Sequence, residues 1–202
     1  VIPLGIDPKI PPIALTDAEF DTHLSRQAND RAKASEMEHA IRSHIRKHLD
    51  EDPVLFRKLS ERLSEILKTL ADQWDDLITA LQKIIDEMRT GSSSDDLAPS
   101  DMPEHYLPFL RMLLESVLGS EPPTDEQLLK IRDLTVELVD MIAGELTDTF
   151  WEPHKRPAQD ALGTRIFKTL RASRLVAPGD VPALKDRLLE LARANHERLI
   201  KA

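Results

Sequence analysis

Residues 35–67 read SEMEHAIRSHIRKHLDEDPVLFRKLSERLSEIL, and this stretch decides the fold. Apolar residues recur at helical spacing on both sides of a short acidic segment that ends in a proline. Asp52 is a favourable N-cap residue, and Pro53 suits the first position of a helix. The stretch therefore predicts one helix that ends near Leu49 and a second helix that begins at Pro53.

The composition of the whole chain favours the same structural class. Hydrophobic residues make up 41% of the 202 residues and are mostly Leu, Ile and Ala, whereas aromatic residues make up 4%. Leu and Ala favour helices, while strands favour β-branched and aromatic residues. We predict an all-α fold, a bundle of about six to seven helices, since no apolar alternation of period two is present.

The first 16 residues differ from the rest because they are rich in proline. Proline fixes the backbone dihedral φ and lacks an N–H, so residues 1–16 are expected to form an extended connector from an upstream domain. The chain begins with Val1 rather than Met, and we therefore expect a fragment of a longer protein. A helical domain over residues 17–202 is predicted to follow.

A long helix is predicted after the connector. Thr16 and Glu19 form a capping box that places the helix start at Asp17. The apolar stripe that begins with Phe20 and Leu24 shifts its phase further along the chain. We interpret this shift as a kink within a single helix that runs to about residue 49.

Two further segments divide the remaining sequence. Residues 91–103, GSSSDDLAPSDMP, have the composition of a linker, and their length predicts mobility. The helical domain is then open to subdivision into 17–90 and 104–202. In the second part, Thr124 and Gln127 form another capping box. We expect one helix to end at Pro178-Gly179 and Asp180 to cap the last helix.

Several classes of protein are excluded or disfavoured by composition. The chain has no cysteine, which excludes disulfide scaffolds, thiolate zinc sites and cysteine nucleophiles. No apolar run approaches the ~20 residues of a membrane span. We expect a cytoplasmic protein with no membrane association. No phosphate-binding glycine loop or nucleophile elbow is present either.

Three histidines, His39, His44 and His48, raise the question of a metal site because two of them have the spacing His-x-x-x-His. On a helical wheel, His44 and His48 lie beside the apolar stripe of Ile41 and Ile45, and His39 lies opposite. Zinc needs three or four ligands, and the zincin motif requires Glu where this chain has Ile45. We therefore predict packing histidines and no metal; a metal-dependent enzyme is the alternative.

The charge is unevenly distributed along the chain, whose net charge is −9. Residues 155–202 contain 11 basic and 5 acidic residues, whereas residues 50–154 contain 9 basic and 24 acidic residues. Basic residues in two groups are candidates for DNA-backbone contacts that are independent of sequence. These candidates are Arg42, Arg46 and Lys47 in the first group and Arg165, Lys168, Arg171 and Arg174 in the second. An ordinary solvated cationic face is the alternative.

The stretch 35–67 also resembles the C-terminal helical region of the restriction (R) subunit of type I restriction–modification enzymes. Trp74 within QWDDLITAL and the ending DRLLELARANHERL (186–199) extend the resemblance over most of the chain. We assign His44, His48, Asp52 and Pro53 to a structural signature of this stretch. The resemblance supplies no catalytic residue.

The resemblance implies a large parent enzyme. In such enzymes the R subunit is an endonuclease and a DNA translocase that uses ATP and Mg²⁺, and those motifs lie upstream of this region. The fragment is therefore expected to be no enzyme and to need no cofactor. The resemblance also implies that the fragment is a helical assembly domain, which docks the motor onto the modification (methyltransferase) and specificity subunits. The alternative from the basic third of the chain is a module that binds the DNA backbone.

Overall fold

A computed structural model describes residues 20–27, 29–71, 73–90, 102–119 and 122–201. Within these ranges the chain forms nine α-helices and two short 3-10 turns, with no strand, so the predicted all-α class is confirmed. The helices are more numerous and shorter than we predicted. They are α1 (Phe20–Ser25), α2 (Asp30–His48), α3 (Pro53–Thr69), α4 (Trp74–Thr90), α5 (Leu107–Leu118), α6 (Asp125–Glu145), α7 (Arg156–Ser173), α8 (Val181–Ala194) and α9 (His196–Ile200).

The chain divides into two compact units. The first contains the described residues within 1–49 and 55–96, and the second contains those within 50–54 and 97–202. The sequence did not predict that the short segment 50–54 belongs with the second unit. The predicted connector 1–16, the Thr16 capping box and most of the predicted linker 91–103 lie outside the described residues.

The first unit is organised around one buried apolar cluster to which α1, α2, α3 and α4 all contribute. The predicted apolar stripe of Ile41 and Ile45 in α2 is buried. Arg62 of α3 donates two hydrogen bonds to Glu87 of α4, at 2.8 and 2.9 Å. The cluster contains Phe20, Leu24, Met37, Ile41, Ile45, Leu59, Leu63, Leu77, Leu81, Ile84, Ile85 and Met88, among others.

The predicted long N-terminal helix is two helices. Between α1 and α2 the backbone of Asn29 is extended, with φ −157° and ψ 164°, and its side chain accepts a hydrogen bond from the Ala32 N–H at 2.8 Å. An extended residue with this hydrogen bond is an N-cap, so α2 starts afresh. The change of phase in the apolar stripe marks this new start rather than a kink.

The second unit has its own buried cluster, formed by Val54 and by residues of α5 to α9 and their connections. The capping box at the start of α6 is confirmed: the Thr124 hydroxyl accepts from the Gln127 N–H, and the Gln127 side chain accepts from the Thr124 N–H. A 3-10 turn over Glu104–Tyr106 precedes α5. No helix in the described residues is long and apolar enough to cross a membrane.

One predicted helix end in the second unit was wrong, and one predicted cap is confirmed only in its position. α7 ends at Ser173, before Pro178-Gly179, because Arg174 adopts the left-handed conformation with φ 59°. Asp180 occupies the N-cap position of α8, but its backbone is helical rather than extended, and its side chain makes no capping hydrogen bond. The predicted last helix is also divided at Asn195 into α8 and α9.

Candidate functional site

His44 and His48 lie one turn apart on α2 and pack together. Their ring centroids are 4.4 Å apart, and each ring also lies close to Phe56 of α3, at 5.8 and 6.3 Å. His39 is half-buried like the other two, so the wheel overstated its exposure. The reason is that α2 has α1 and α4 as neighbours, and less of its circumference faces solvent than a wheel assumes.

The histidine pair has the surroundings of a packing contact. Its nearest aromatic neighbour is the phenyl ring of Phe56, which cannot ligate a metal. Over the ranges that the structure describes, no group of three or more His, Cys, Asp or Glu side chains is placed to hold a metal ion. The arrangement gives two imidazole rings in an interhelical aromatic cluster.

Asp52 has a buried partner that its sequence position did not suggest. Its carboxylate pairs with the guanidinium of Arg111, which lies 59 residues further along the chain, in α5. Each side chain is only 6% exposed. Removing two charges from water is costly, so the pair is stable only because each charge compensates the other. Asp52 therefore does more than mark the position where α3 begins.

Glu51 is fixed in the second unit beside this ion pair. The Asn195 side-chain amide donates to the Glu51 carbonyl at 2.8 Å and to the Leu191 carbonyl at 3.0 Å. The Glu51 carboxylate pairs with Arg198 at 2.8 Å. Together with Asp52, these contacts anchor the acidic turn of the signature through both backbone and side chains.

The first group of candidate DNA-binding residues lies on the exposed side of α2. Arg42 pairs with Glu38 one turn earlier, at 2.9 Å, and Arg46 donates to the Arg42 carbonyl at 3.4 Å. Lys47 is exposed. Two of the three cations are thus engaged in contacts within α2, which leaves them fewer N–H donors for a phosphate.

The second group lies on α7 and at its C-cap, and the structure divides it. Arg165 pairs with Glu145 at the end of α6. Lys168, Arg171 and Arg174 instead line one shallow depression together with Thr164, Phe167 and Ala172. In the part of the chain that the structure describes, none of these three cations makes an ion pair with a carboxylate. They form the cationic end of the surface described next.

A groove with a volume of about 450 Å³ runs between α7 and α8 and shares Thr164 and Phe167 with this depression. We call the groove and the depression together the α7–α8 groove. The two helices approach closely at Gly163, where an added Cβ would lie 3.3 Å from Leu189 Cδ1. The sequence predicts both helices but not the groove, because helical periodicity does not reveal which two helices are neighbours.

The α7–α8 groove is cationic although the protein is acidic. Two of its cations are neutralised by neighbours: Arg156 pairs with Asp160 at 3.3 Å, and Lys185 pairs with Asp186 at 2.6 Å. Its lining holds six basic residues and three carboxylates, a net charge of +3. The basic residues are Arg156, Lys168, Arg171, Arg174, Lys185 and Arg193, and the acidic ones are Asp160, Asp186 and Glu190.

Trp151 also lines the groove. Its indole N–H donates to His196 Nδ1 at 3.1 Å, and its ring meets Phe150 edge-on, with the centroids 5.0 Å apart. The hydrogen bond and the ring contact fix the indole. Since the only other tryptophan of the chain is Trp74, the indole is also a convenient spectroscopic probe of this surface.

Comparisons with known proteins do not place the chain in a family. No family model matches the sequence, and no curated protein matches it. No solved structure matches either. The likeness of residues 35–67 to the R subunit therefore stays a prediction from the sequence.

Proposed function

We propose that the chain is a helical assembly module of the R subunit of a type I restriction enzyme, where it docks the motor onto the modification and specificity subunits. In this proposal the module contributes no chemistry. ATP and Mg²⁺ serve the upstream motor of the parent enzyme, an ATP-dependent endonuclease. The proposal places the module in the cytoplasm with its partners.

One observation carries this proposal: the most distinctive residues of the signature have structural partners. His44 and His48 pack on Phe56, and Asp52 pairs with Arg111 away from water. Charged and imidazole groups that are engaged in this way fix backbone positions and are not free to act on a substrate. This use of polar residues supports a module whose role is to present a defined helical surface.

Binding to the methyltransferase complex tests the proposal. The tagged chain is immobilised and offered the purified complex of modification and specificity subunits from the same restriction system. We expect the complex to be retained, and we expect an R subunit that lacks these 202 residues to lose its binding. The proposal fails if the isolated chain retains nothing while the full R subunit binds.

A second candidate function is binding to the backbone of duplex DNA. It is favoured by the placement of Lys168, Arg171 and Arg174 in one depression where no carboxylate of the described chain pairs with them. Binding should weaken steeply with salt because neutralised phosphates release counterions. Replacing Lys168, Arg171 and Arg174 together by Glu should weaken binding further. The matched comparison carries the same change in charge at three exposed positions outside both candidate groups, Lys58, Lys68 and Lys83. Absence of duplex binding at low salt removes this candidate.

A further inference from the structure

We infer that the α7–α8 groove receives an amphipathic helix with an acidic flank from a partner protein. The inference deepens the proposed function and rests on it, since the partner is a subunit of the methyltransferase complex. It assigns the docking surface to one face of α7 and the facing side of α8. It also states the chemistry of the segment that binds there.

The shape of the groove suits a helix. The residues of α7 that line it recur every three or four positions from Arg156 to Ala172, so they form one continuous face of the helix, and Arg174 follows at its C-cap. An α-helix of 18 residues is about 27 Å long at ~1.5 Å per residue, which provides a wall for several turns of a bound helix. Helices that bind in grooves place their apolar face against such walls.

The floor of the groove is apolar. Phe167 and Leu189 are partly buried, pack against the core of the second unit and still line the groove, as does the half-buried Trp151. Gly163 adds no side chain between the two helices, which keeps the floor open. Apolar residues at intervals of three and four on a partner helix would cover these rings and methyl groups and remove them from water.

The charge of the groove selects an acidic partner. Lys168, Arg171 and Arg174 cluster at one end without carboxylate partners in the described chain, whereas the protein as a whole carries −9. A cationic site on an anionic protein attracts acidic segments and repels basic ones. We therefore expect the partner helix to carry Asp or Glu on the flank that faces these three cations.

A helix fits the surface better than duplex DNA does. A sugar–phosphate backbone presents little apolar surface to the floor formed by Trp151, Phe167 and Leu189. The groove also contains three carboxylates, and one of them, Glu190, makes no ion pair within the described residues. Phosphates would be repelled by these groups, while the amino-acid side chains of a partner helix can be arranged to avoid them.

The first test compares two charge reversals that are equal in size. Lys168, Arg171 and Arg174 are replaced together by Glu, and the control replaces the exposed Lys58, Lys68 and Lys83 by Glu. Binding of the methyltransferase complex is measured by biolayer interferometry for each folded variant and for the wild type. We expect the groove variant to bind roughly tenfold to a hundredfold more weakly, since like charges across an interface oppose binding. The control should bind nearly as the wild type does.

The outcomes separate this inference from the proposed function. If the wild type does not bind the complex, the proposed function fails and the inference fails with it. If the groove variant binds as tightly as the wild type, the inference alone is wrong. If the groove variant loses duplex DNA binding but keeps binding the complex, the groove is a DNA site and the inference is overturned.

The second test locates the partner segment without altering the charges. The chain has no cysteine, so a single cysteine can carry a photo-crosslinker at a chosen position. Thr164→Cys places it in the groove, and Ala161→Cys places it on the same helix at an exposed position that does not line the groove. With the methyltransferase complex, we expect the Thr164→Cys label alone to capture one peptide whose sequence is acidic and amphipathic. Equal capture from both positions, or a basic peptide, would overturn the inference.

Discussion

Asp52 has a buried ion-pair partner that its position in the sequence does not indicate. Its position before Pro53 indicates the start of a helix, and α3 does begin at Pro53. Nothing local indicates that its carboxylate is buried against Arg111, because that contact joins positions 59 residues apart. Capping signals act over three or four residues, whereas buried ion pairs depend on which helices become neighbours.

Replacing Asp52 by Ala should destabilise the protein strongly. The change leaves the guanidinium of Arg111 buried without its counter-charge, which typically costs ~3–5 kcal/mol of unfolding free energy. Asp50→Ala is the control, because Asp50 is exposed in the same acidic turn, and surface changes usually stay within ~0.5 kcal/mol. Urea denaturation measures both values. A loss below ~1 kcal/mol for Asp52→Ala would contradict a buried, dependent ion pair.

Tyr106 offers a second prediction because it is the only tyrosine of the chain. Its hydroxyl donates to Asp140 at 2.6 Å. This hydrogen bond, then burial and the negative charge of Asp140, raise the pKa of Tyr106 above its ordinary value of 10.0. Asp140→Asn removes the charge, so we expect the pKa of Tyr106 to fall toward that value. The ultraviolet absorbance of the phenolate reports the titration without ambiguity.

The pH dependence of stability follows from the same contact. The folded state holds the Tyr106 proton more tightly than the unfolded state does, so the stabilisation is present below the unfolded pKa of ~10. It is lost as pH rises through the folded pKa. Asp133→Asn serves as the control, since Asp133 is exposed on the same helix. An unchanged pKa of Tyr106 in the Asp140→Asn variant would refute the assignment.

At the scale of helices, sequence periodicity predicted which residues are buried better than where helices end. The stripe of Ile41 and Ile45 is buried as predicted. The prediction of a single helix over residues 17–49 was wrong. A break of a few residues between two helices changes the phase of the apolar stripe just as a kink within one helix does. Asn29 carried the missing signal, since Asn is a common N-cap.

Asn29→Ala should therefore destabilise the first unit. The Ala32 N–H would lose the side-chain acceptor that lies 2.8 Å away, and the loss of an N-cap costs ~0.5–2 kcal/mol. Asn29→Asp keeps an acceptor oxygen at this position and is the matched control. Thermal unfolding followed by circular dichroism measures the difference. Equal stability of the Ala and Asp variants would show that α1 and α2 do not depend on this cap.

For the molecule as a whole, the sequence predicted the all-α class but not which residues belong to each of the two units. Composition favoured helices because Leu and Ala dominate the apolar residues. Residues 50–54 comprise the turn after α2 and the first two residues of α3, yet they belong to the second unit through Asp52, Val54 and Glu51. The α7–α8 groove also depends on which helices are neighbours, which a single sequence does not reveal. Of the residues that line it, only Lys168, Arg171 and Arg174 were candidates beforehand.

Each unit has its own buried cluster. We therefore expect a substitution in the core of one unit to destabilise that unit and not the other. Leu81 belongs to the cluster of the first unit and Leu188 to that of the second, and each is fully buried. Replacing either by Ala removes the same atoms and should cost ~2–5 kcal/mol. The cost should fall on the unit that contains the substitution, because cooperative units open with their own free energies.

Native-state hydrogen exchange measures this separation. In Leu81→Ala we expect amides of α2 and α4 to lose protection while those of α6 and α8 keep theirs, and in Leu188→Ala the reverse. Leu129→Ala is the control, because Leu129 is 60% exposed and its truncation leaves no cavity. Equal loss of protection in both units from either core substitution would mean that the chain unfolds as one cooperative body. If the loss is confined to one unit, residues 50–54 provide a further check. Their amides should lose protection together with those of α8 and not with those of α2.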